Sequence, residues 1–430
     1  MHSSGSKTHH QNNEMKVKQL QLTNFRGFAE YSIEFADGLN LLAGENGAGK
    51  STILDAIGLM MHQIVNRLKH ENVSGATIPE SNIRASESEL NIRLSFQADG
   101  KEVCFSAART RVGYSRVGTS SNYKELTEWT RTYRDARANK LPIKYPLLAH
   151  YRVNRAVLDI PKRQASTTDT DALSCYEGAL SGHADFRHFF AWYRDQEDYE
   201  NEQLRYNKAH IDPSLEAVRS ALRQVLPEIR DIHVRRRPQA MVATKNGVTI
   251  EISQLSDGEK CYLALVGDIA CRMARLNANE IVSADVILAS PGVVLIDELD
   301  LHLHPSWQRE AIRKLPLIFP NIQFIVTTHS PQMIGEVSPD RVQYCIPGKS
   351  APEKHPNALG LKSGEILEMY MATREMNADV QQLERDFHTA LDMGKFDLAE
   401  ATLKKLSAEV PNAESLPLYE RLLTELNFMR

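Results

Sequence analysis

Apolar and polar residues alternate over residues 17–24 and again over 31–35, the period-two pattern of half-buried strands. The turn Asp37-Gly38 follows, and residues 39–43 form a short apolar run that predicts a strand buried on both faces. A glycine-rich loop then leads into a helix over about 50–68. Residues 88–136 mix short strand patterns with a polar, arginine-rich stretch, and 142–160 begin with another buried-strand pattern. Residues 161–174 are polar and rich in Ser, Thr and Asp, which predicts a mobile loop.

From 185 to about 205, Phe186, Phe189, Phe190 and Tyr193 recur at helical spacing. Asp212-Pro213 reads as the N-cap and first-turn proline of a helix ending near Val225. Strands are expected around 232–234 and 240–252, and the runs 292–297 and 322–327 are the most strand-like of the second half. Beyond about 377 the pattern is helical, with Leu383, Phe387 and Leu391, a break at Gly394, and then Ala399, Leu403 and Leu406. That predicts antiparallel helices. Strands and helices alternating in this way indicate an α/β fold.

Residues 44–52 read Gly-Glu-Asn-Gly-Ala-Gly-Lys-Ser-Thr, a G-x-x-x-x-G-K-[ST] loop between a strand and a helix. Glycines let backbone N–H groups turn inward onto phosphate oxygens, and the helix start adds a favourable dipole end. Asn46, Gly47, Ala48, Gly49, Lys50, Ser51 and Thr52 are therefore candidate ATP-binding residues, with Lys50 on the β- and γ-phosphates and Ser51 on Mg²⁺. The strand Val-Val-Leu-Ile ends in Asp297 and Glu298. Asp297 is the second Mg²⁺ ligand candidate, and Glu298 the group that polarises the attacking water.

Ser256, Asp257, Gly258 and Glu259 open a further predicted helix. Ser256 with Glu259 three residues on is also a plain capping box. His329 follows the strand 322–327, where a lone histidine is more often a structural turn residue, although a histidine can donate to a phosphate oxygen at neutral pH. Asp300, His302 and His304 follow Glu298 closely and could be read as metal ligands.

Composition narrows the classes. The chain has 430 residues, 42% hydrophobic and 25% charged, which excludes disordered and fibrous classes. Its formal net charge of −4 argues against a polybasic DNA coater, though the clusters Arg235–Arg236–Arg237 and Arg131, Arg134, Arg137 remain candidates for phosphate backbone. Five cysteines without a Cys-x-x-Cys pair argue against a disulfide framework and against a cysteine zinc site, and point to the cytoplasm. No apolar run is long enough to span a bilayer, and residues 1–14 are expected to be a disordered leader. The acids Asp169, Asp171 and Asp195 sit in polar settings, and no His-Asn-His cluster suggests a nuclease in this chain.

Together the motifs resemble the RecF/SMC-like branch of ABC ATPases, as does Leu-Thr-Asn-Phe-Arg-Gly-Phe at 22–28, whose Arg26 would lie near the nucleotide. Within that branch, Tyr151-Arg-Val-Asn-Arg-Ala-Val-Leu-Asp-Ile-Pro161, Gln254-Leu-Ser-Asp-Gly-Glu-Lys and Asp300-Leu-His-Leu-His-Pro-Ser-Trp-Gln-Arg309 are similar to the PtuA-like ATPases of Septu and retron-Septu anti-phage systems, with the AriA ATPase of PARIS as a related possibility. The resemblance covers about 15–370 and implies an ABC-type ATPase head: a mixed sheet around the phosphate loop, an inserted helical lobe and a helical C-terminal tail. It implies a first ATPase lobe at 15–160, a helical insertion at 161–230, the second ATPase part at 231–370 and C-terminal helices at 371–430.

By the same resemblance, Ser256–Glu259 is the signature that closes on ATP held by another copy, Asp300, His302 and His304 form the D-loop that links the two ATP sites, and His329 is the switch histidine that touches the γ-phosphate, a second catalytic candidate beside Glu298. Asn154 and Arg155 stand where the Q-loop glutamine would be, a departure from the family pattern. The implied cofactors are ATP and Mg²⁺. The implied partners are a second copy or a higher oligomer of dimers, and an HNH nuclease of the PtuB kind or another operon effector. A retron reverse transcriptase with its msDNA, and DNA itself, are further candidates. Two other readings stay open: a RecF-like repair ATPase that binds DNA directly, and a slow-turnover ATP-dependent scaffold.

Overall fold

A computed structural model of the chain describes residues 14–71, 77–115, 118, 120–156, 171–184, 186–277, 283–354, 357–371, 378–410 and 416–428. The chain divides into two compact units, Met1–Gly360 and Leu361–Arg430. The first begins with β1 (Met15–Phe25), β2 (Phe28–Glu34), β3 (Leu39–Gly44), α1 (Lys50–Lys69), β4 (Glu89–Ala98), β5 (Lys101–Thr110), α2 (Lys124–Ala138), β6 (Leu147–Ala156) and β7 (Gly182–Ala184). It continues through α3 (Phe186–Gln203), α4 (Pro213–Val225), β8 (Ile229–Arg236), β9 (Gln239–Lys245), β10 (Val248–Glu251), α5 (Asp257–Leu276) and α6 (Ala284–Leu288). It ends with β11 (Gly292–Ile296), α7 (Pro305–Ile318), β12 (Ile322–Thr327), α8 (Pro331–Ile334) and β13 (Val342–Cys345). The second unit holds α9 (Ser363–Met371), α10 (Ala378–Asp392), α11 (Phe396–Glu409) and α12 (Leu416–Phe428).

The mixed strand content is distributed over three sheets. The central one has the order β13-β3-β12-β11-β6-β7, and every neighbouring pair in it is parallel. Every residue of β3, β11 and β12 is buried, as their continuous apolar runs require. Loops at the carboxyl ends of such strands converge on one edge, where a parallel sheet places its ligands. A four-stranded antiparallel sheet, β2-β1-β4-β5, and a three-stranded one, β10-β9-β8, stand beside it. Gln323, a polar residue inside the apolar run of β12, is fully buried. Its amide accepts from Val17 N–H at 2.7 Å and donates to Val17 O and Ala36 O, both at 2.9 Å, so it stitches β1 to the central sheet.

The arginine-rich stretch at 88–136 departs from the short strands its pattern suggests. β4 and β5 are ten-residue strands paired along their whole length, and α2 packs on them. The helix buries only Leu126, Trp129, Thr130 and Tyr133, a stripe too narrow to stand out among its arginines. The predicted loop at 161–174 lies outside the described residues up to 170, as does the expected leader up to residue 13. From Asp171 the chain is again well packed: Asp171 accepts Leu173 N–H at 3.1 Å and caps a short 3-10 turn whose Leu173, Cys175 and Tyr176 are buried. In the second unit, Phe387, Ala390, Ala399, Leu403 and Leu406 form one apolar cluster with Leu416, Tyr419 and Leu423, so the helices around the Gly394 break do pack on each other.

Two consecutive residues of β6 show how helices flank the central sheet. Tyr151 donates its hydroxyl to Asp268 of α5 at 2.8 Å, while Arg152 reaches Asp55 of α1 at 2.8 Å. Successive strand side chains point to opposite faces, so α1 and α5 cover opposite faces. Asp268 also accepts from Arg272 Nε at 2.8 Å, and Arg272 donates onward to Cys175 O and, at 3.1 Å, to Glu177 O. Both charged side chains are nearly sealed, at 3% and 4% exposure. Removing one partner of a sealed pair strands the other charge. Asp268→Ala is expected to cost about 3–5 kcal/mol of stability, read as a lowered midpoint in urea unfolding; a midpoint within error of the parent would refute it.

Candidate nucleotide site

The loop between β3 and α1 is shaped by backbone rather than side chains. Gly49 ends it with φ 89°, and a Cβ there would lie 2.3 Å from the Phe28 ring, so only glycine lets the β1–β2 turn close against the loop. Lys50 follows directly. Its ammonium donates to Gly44 O at 2.8 Å and Glu45 O at 2.9 Å. Burial draws its pKa below the ordinary lysine value, and Cys345, Asp297, Glu298 and Asp300 oppose that shift. Asn46 and Gly47 are exposed at the tip of the loop and Ala48 is buried.

The carboxyl ends of β11 and β12 meet α1 here. Ser51 Oγ donates to Asp297 Oδ1 at 3.0 Å. Thr327 Oγ1 donates to the same oxygen at 2.6 Å and accepts Glu298 N–H at 2.7 Å. Glu298 holds the left-handed conformation, φ 48°. Thr327 thus orients the first acid and pins the strained backbone of the second. A threonine at a strand end carries no signal of its own in the sequence, so only the fold reveals this role. Asp300 Oδ1 accepts Thr328 Oγ1 at 2.7 Å and His329 N–H at 3.2 Å, which ties the turn after β11 to the turn after β12. Burial, and after it Lys50, hold the pKa of His329 below the ordinary histidine value. Burial thus disfavours its charged form.

A cavity of about 830 Å³ lies against the outer side of the loop, lined by Asn24, Phe28, Gly47, Thr52, Arg84 and Lys349 among others. It borders the glycine-rich loop at Gly47, Ala48 and Gly49. Arg26, with φ 50°, does not point freely into it: NH1 donates to Asp55 Oδ2 at 2.7 Å and Nε to Asn82 Oδ1 at 2.8 Å.

Ser256 N-caps α5 and makes both halves of the capping box, accepting Glu259 N–H at 3.4 Å while Glu259 Oε2 accepts Ser256 N–H at 2.9 Å. Lys245 pairs with Glu259. Asp257 is exposed and pairs with Lys260 at 2.9 Å. A Cβ on Gly258 would lie 2.5 Å from His302 O, so this helix start rests on the turn after Glu298. His302 takes φ 66° there. His304 caps α7: its Nδ1 lies 2.8 Å from Ser306 Oγ and accepts Ser306 N–H at 3.4 Å. Asn154 and Arg155 lie at the end of β6, with side chains outside the described residues.

Several polar candidates are answered within the chain. Arg235 pairs with Glu251, and Arg236 with Glu197 and Asp198. Arg137 pairs with Asp171 at 2.9 Å, Arg134 donates to Arg67 O and Thr130, and Asp195 pairs with Arg194 at 2.8 Å. Asp169 lies outside the described residues.

Residues 39–335 match the family model described as "AAA domain, putative AbiEii toxin, Type IV TA system". The "Retron Ec83 probable ATPase" of Escherichia coli is 30% identical over 391 residues, covering 76% of this chain and 71% of that one. The chain belongs to the ABC-type ATPases of the retron and Septu defence family. The "Septu protein PtuA" of Bacillus thuringiensis is 25% identical and covers 74% of this chain and 72% of its own. Among solved structures, the Smc head domain bound to the C-terminal domain of ScpA, from Pyrococcus furiosus, aligns over 79% of this chain and 96% of that one, with 15% identity and a TM-score of 0.46. In this ATPase the hydroxyl of Ser51 and the carboxylate of Asp297 already face each other, a hard-oxygen donor pair of the kind Mg²⁺ takes. Among the described residues, no helix is long and apolar enough to cross a membrane.

Proposed function

We propose that the chain binds Mg–ATP at the β3–α1 loop, pairs with a second copy around it, hydrolyses it, and by that cycle regulates a partner effector nuclease. The observation that carries this is the hydrogen-bonded set Ser51–Asp297–Thr327–Glu298 at the carboxyl edge of the central sheet. Lys50 and the first N–H groups of α1 hold the β- and γ-phosphates. Ser51 and Asp297 would hold Mg²⁺, which neutralises charge on the phosphates. Glu298 takes a proton from the attacking water, and His329 donates to the γ-phosphate.

Pairing is inferred from the placement of the two helix starts. The start of α5 belongs to a helix on the face opposite α1, so its anion-binding end serves another copy's phosphates rather than its own. The fully formed cap of Ser256 leaves the remaining N–H groups of that first turn for this purpose. Residues 361–430 carry 8 Lys+Arg against 13 Asp+Glu and expose Met393 and Leu418, which supports them as the surface for a basic partner such as an HNH nuclease. The repair-ATPase reading draws less support, because Arg235 and Arg236 already pair with Glu251, Glu197 and Asp198.

The test is the mass in solution with and without a non-hydrolysable ATP analogue. The parent is expected to double its mass on adding the analogue. Ser256→Asp keeps a capping oxygen but turns a carboxylate toward the phosphates, so it is expected to bind nucleotide and stay unpaired. Pairing that persists in Ser256→Asp sinks the trans assignment.

A further inference from the structure

Asp55 stands four residues after Ser51 on α1, one helical turn along the same face. Its carboxylate takes two arginines at once. Oδ2 accepts from Arg26 at 2.7 Å and Oδ1 pairs with Arg152 at 2.8 Å. The carboxylate is 17% exposed and the Arg152 side chain 53%. Two guanidinium groups on one carboxylate leave a net positive charge beside the phosphate loop.

Arg152 comes from β6, next to β11 in the sheet. Tyr151 pairs with Ile296, so the following residues, Arg152 and Asp297, stand abreast about 4.8 Å apart, the spacing of neighbouring strands. Both side chains lie on the α1 face, one on Asp55 and the other on Ser51. The stem of Arg152 has a built seat. Gly182 of β7 takes φ 95°, and a Cβ there would lie 2.7 Å from Arg152 Cδ. Glycine at that position lets the aliphatic stem cross the edge strand while the charged head stays half in water.

A guanidinium so placed is held along its stem by the edge strand, while its tip rests on Asp55 and stays half exposed. Its fork matches the oxygens of a phosphate, whose terminal group carries more charge than one carboxylate. We propose that Arg152 is a contact for the terminal phosphate of a nucleoside triphosphate, and that Asp55 holds it in the absence of that phosphate. This rests on the reading of the β3–α1 loop as an ATP site. It gives Arg152 a specific effect: it favours the triphosphate over the diphosphate. Asp55 acts the opposite way, since it competes with phosphate for the arginine.

The experiment is titration of the full chain with fluorescently labelled ATP and ADP, for the parent, Arg152→Ala, Arg152→Lys, Asp55→Asn and Lys50→Ala, with thermal unfolding of each. Arg152→Ala is expected to weaken ATP by about tenfold and ADP by less than about threefold, the loss of roughly one charge-assisted hydrogen bond. Arg152→Lys restores part of the loss. Asp55→Asn is expected to bind ATP as tightly as the parent or more so. If Arg152→Ala binds ATP like the parent, or if it and Asp55→Asn weaken both nucleotides alike, the pair is only a salt bridge and the inference is overturned. If the parent and Lys50→Ala both fail to bind either nucleotide, the ATP site itself is wrong, and this inference falls with it.

Discussion

Lys50→Ala is expected to weaken ATP binding by about 10²–10³-fold and to abolish protection against phage, without unfolding the protein. The magnitude follows from losing about two hydrogen bonds to charged phosphate oxygens, roughly 3–4 kcal/mol. The absence of unfolding follows from the site itself. The Lys50 ammonium is buried against two carbonyls, and burial lowers its pKa, so the charge is held there at a cost to the fold. Removing it leaves no buried partner charge stranded, because Asp297 keeps its bonds to Ser51 and Thr327. Isothermal titration with ATP and a thermal scan of the apo protein separate the two effects. Protection that survives in Lys50→Ala would remove ATP from the mechanism.

Glu298→Gln is expected to lower ATP turnover by about 10²–10⁴-fold, the usual contribution of a general base, while ATP still binds. The substitution preserves shape, and it preserves the backbone bond from position 298 to Thr327 Oγ1 that holds the left-handed turn. What disappears is the ability to accept a proton from water. In the proposed cycle the pair separates after hydrolysis, so the variant is expected to accumulate as the ATP-bound pair. Phosphate release assays and solution mass measure the two consequences. Unchanged turnover would show that Glu298 is not the base and would favour a slow-turnover scaffold.

The elements around the site were legible because their residues are contiguous. A loop of three glycines before Lys50-Ser51, an apolar strand ending in Asp297-Glu298, and Ser256 three residues before Glu259 each carry their chemistry within ten positions. Where local pattern was weak, the structure added what the sequence left open. The narrow apolar stripe of α2 was hidden among arginines, and its neighbours β4 and β5 read as shorter than they are. His304 reads as a ligand or a D-loop residue from its company, yet its nearest task is to cap α7. The arginines at 235 and 236 look like a nucleic-acid patch in the sequence, but acids on α3 and β10 answer them.

The chain's local order thus determined the fold class, the ATP-site motifs and the family resemblance, since backbone turns, caps and strand burial depend on residues a few positions apart. Only the tertiary structure decided that Thr327 orients Asp297, that Gln323 stitches two sheets, and that Arg26 and Arg152 share Asp55. Those contacts join residues separated by about 30 to 306 positions, and which of many polar side chains meet at such range is set by the order of strands in the sheet, a property no short window of sequence contains.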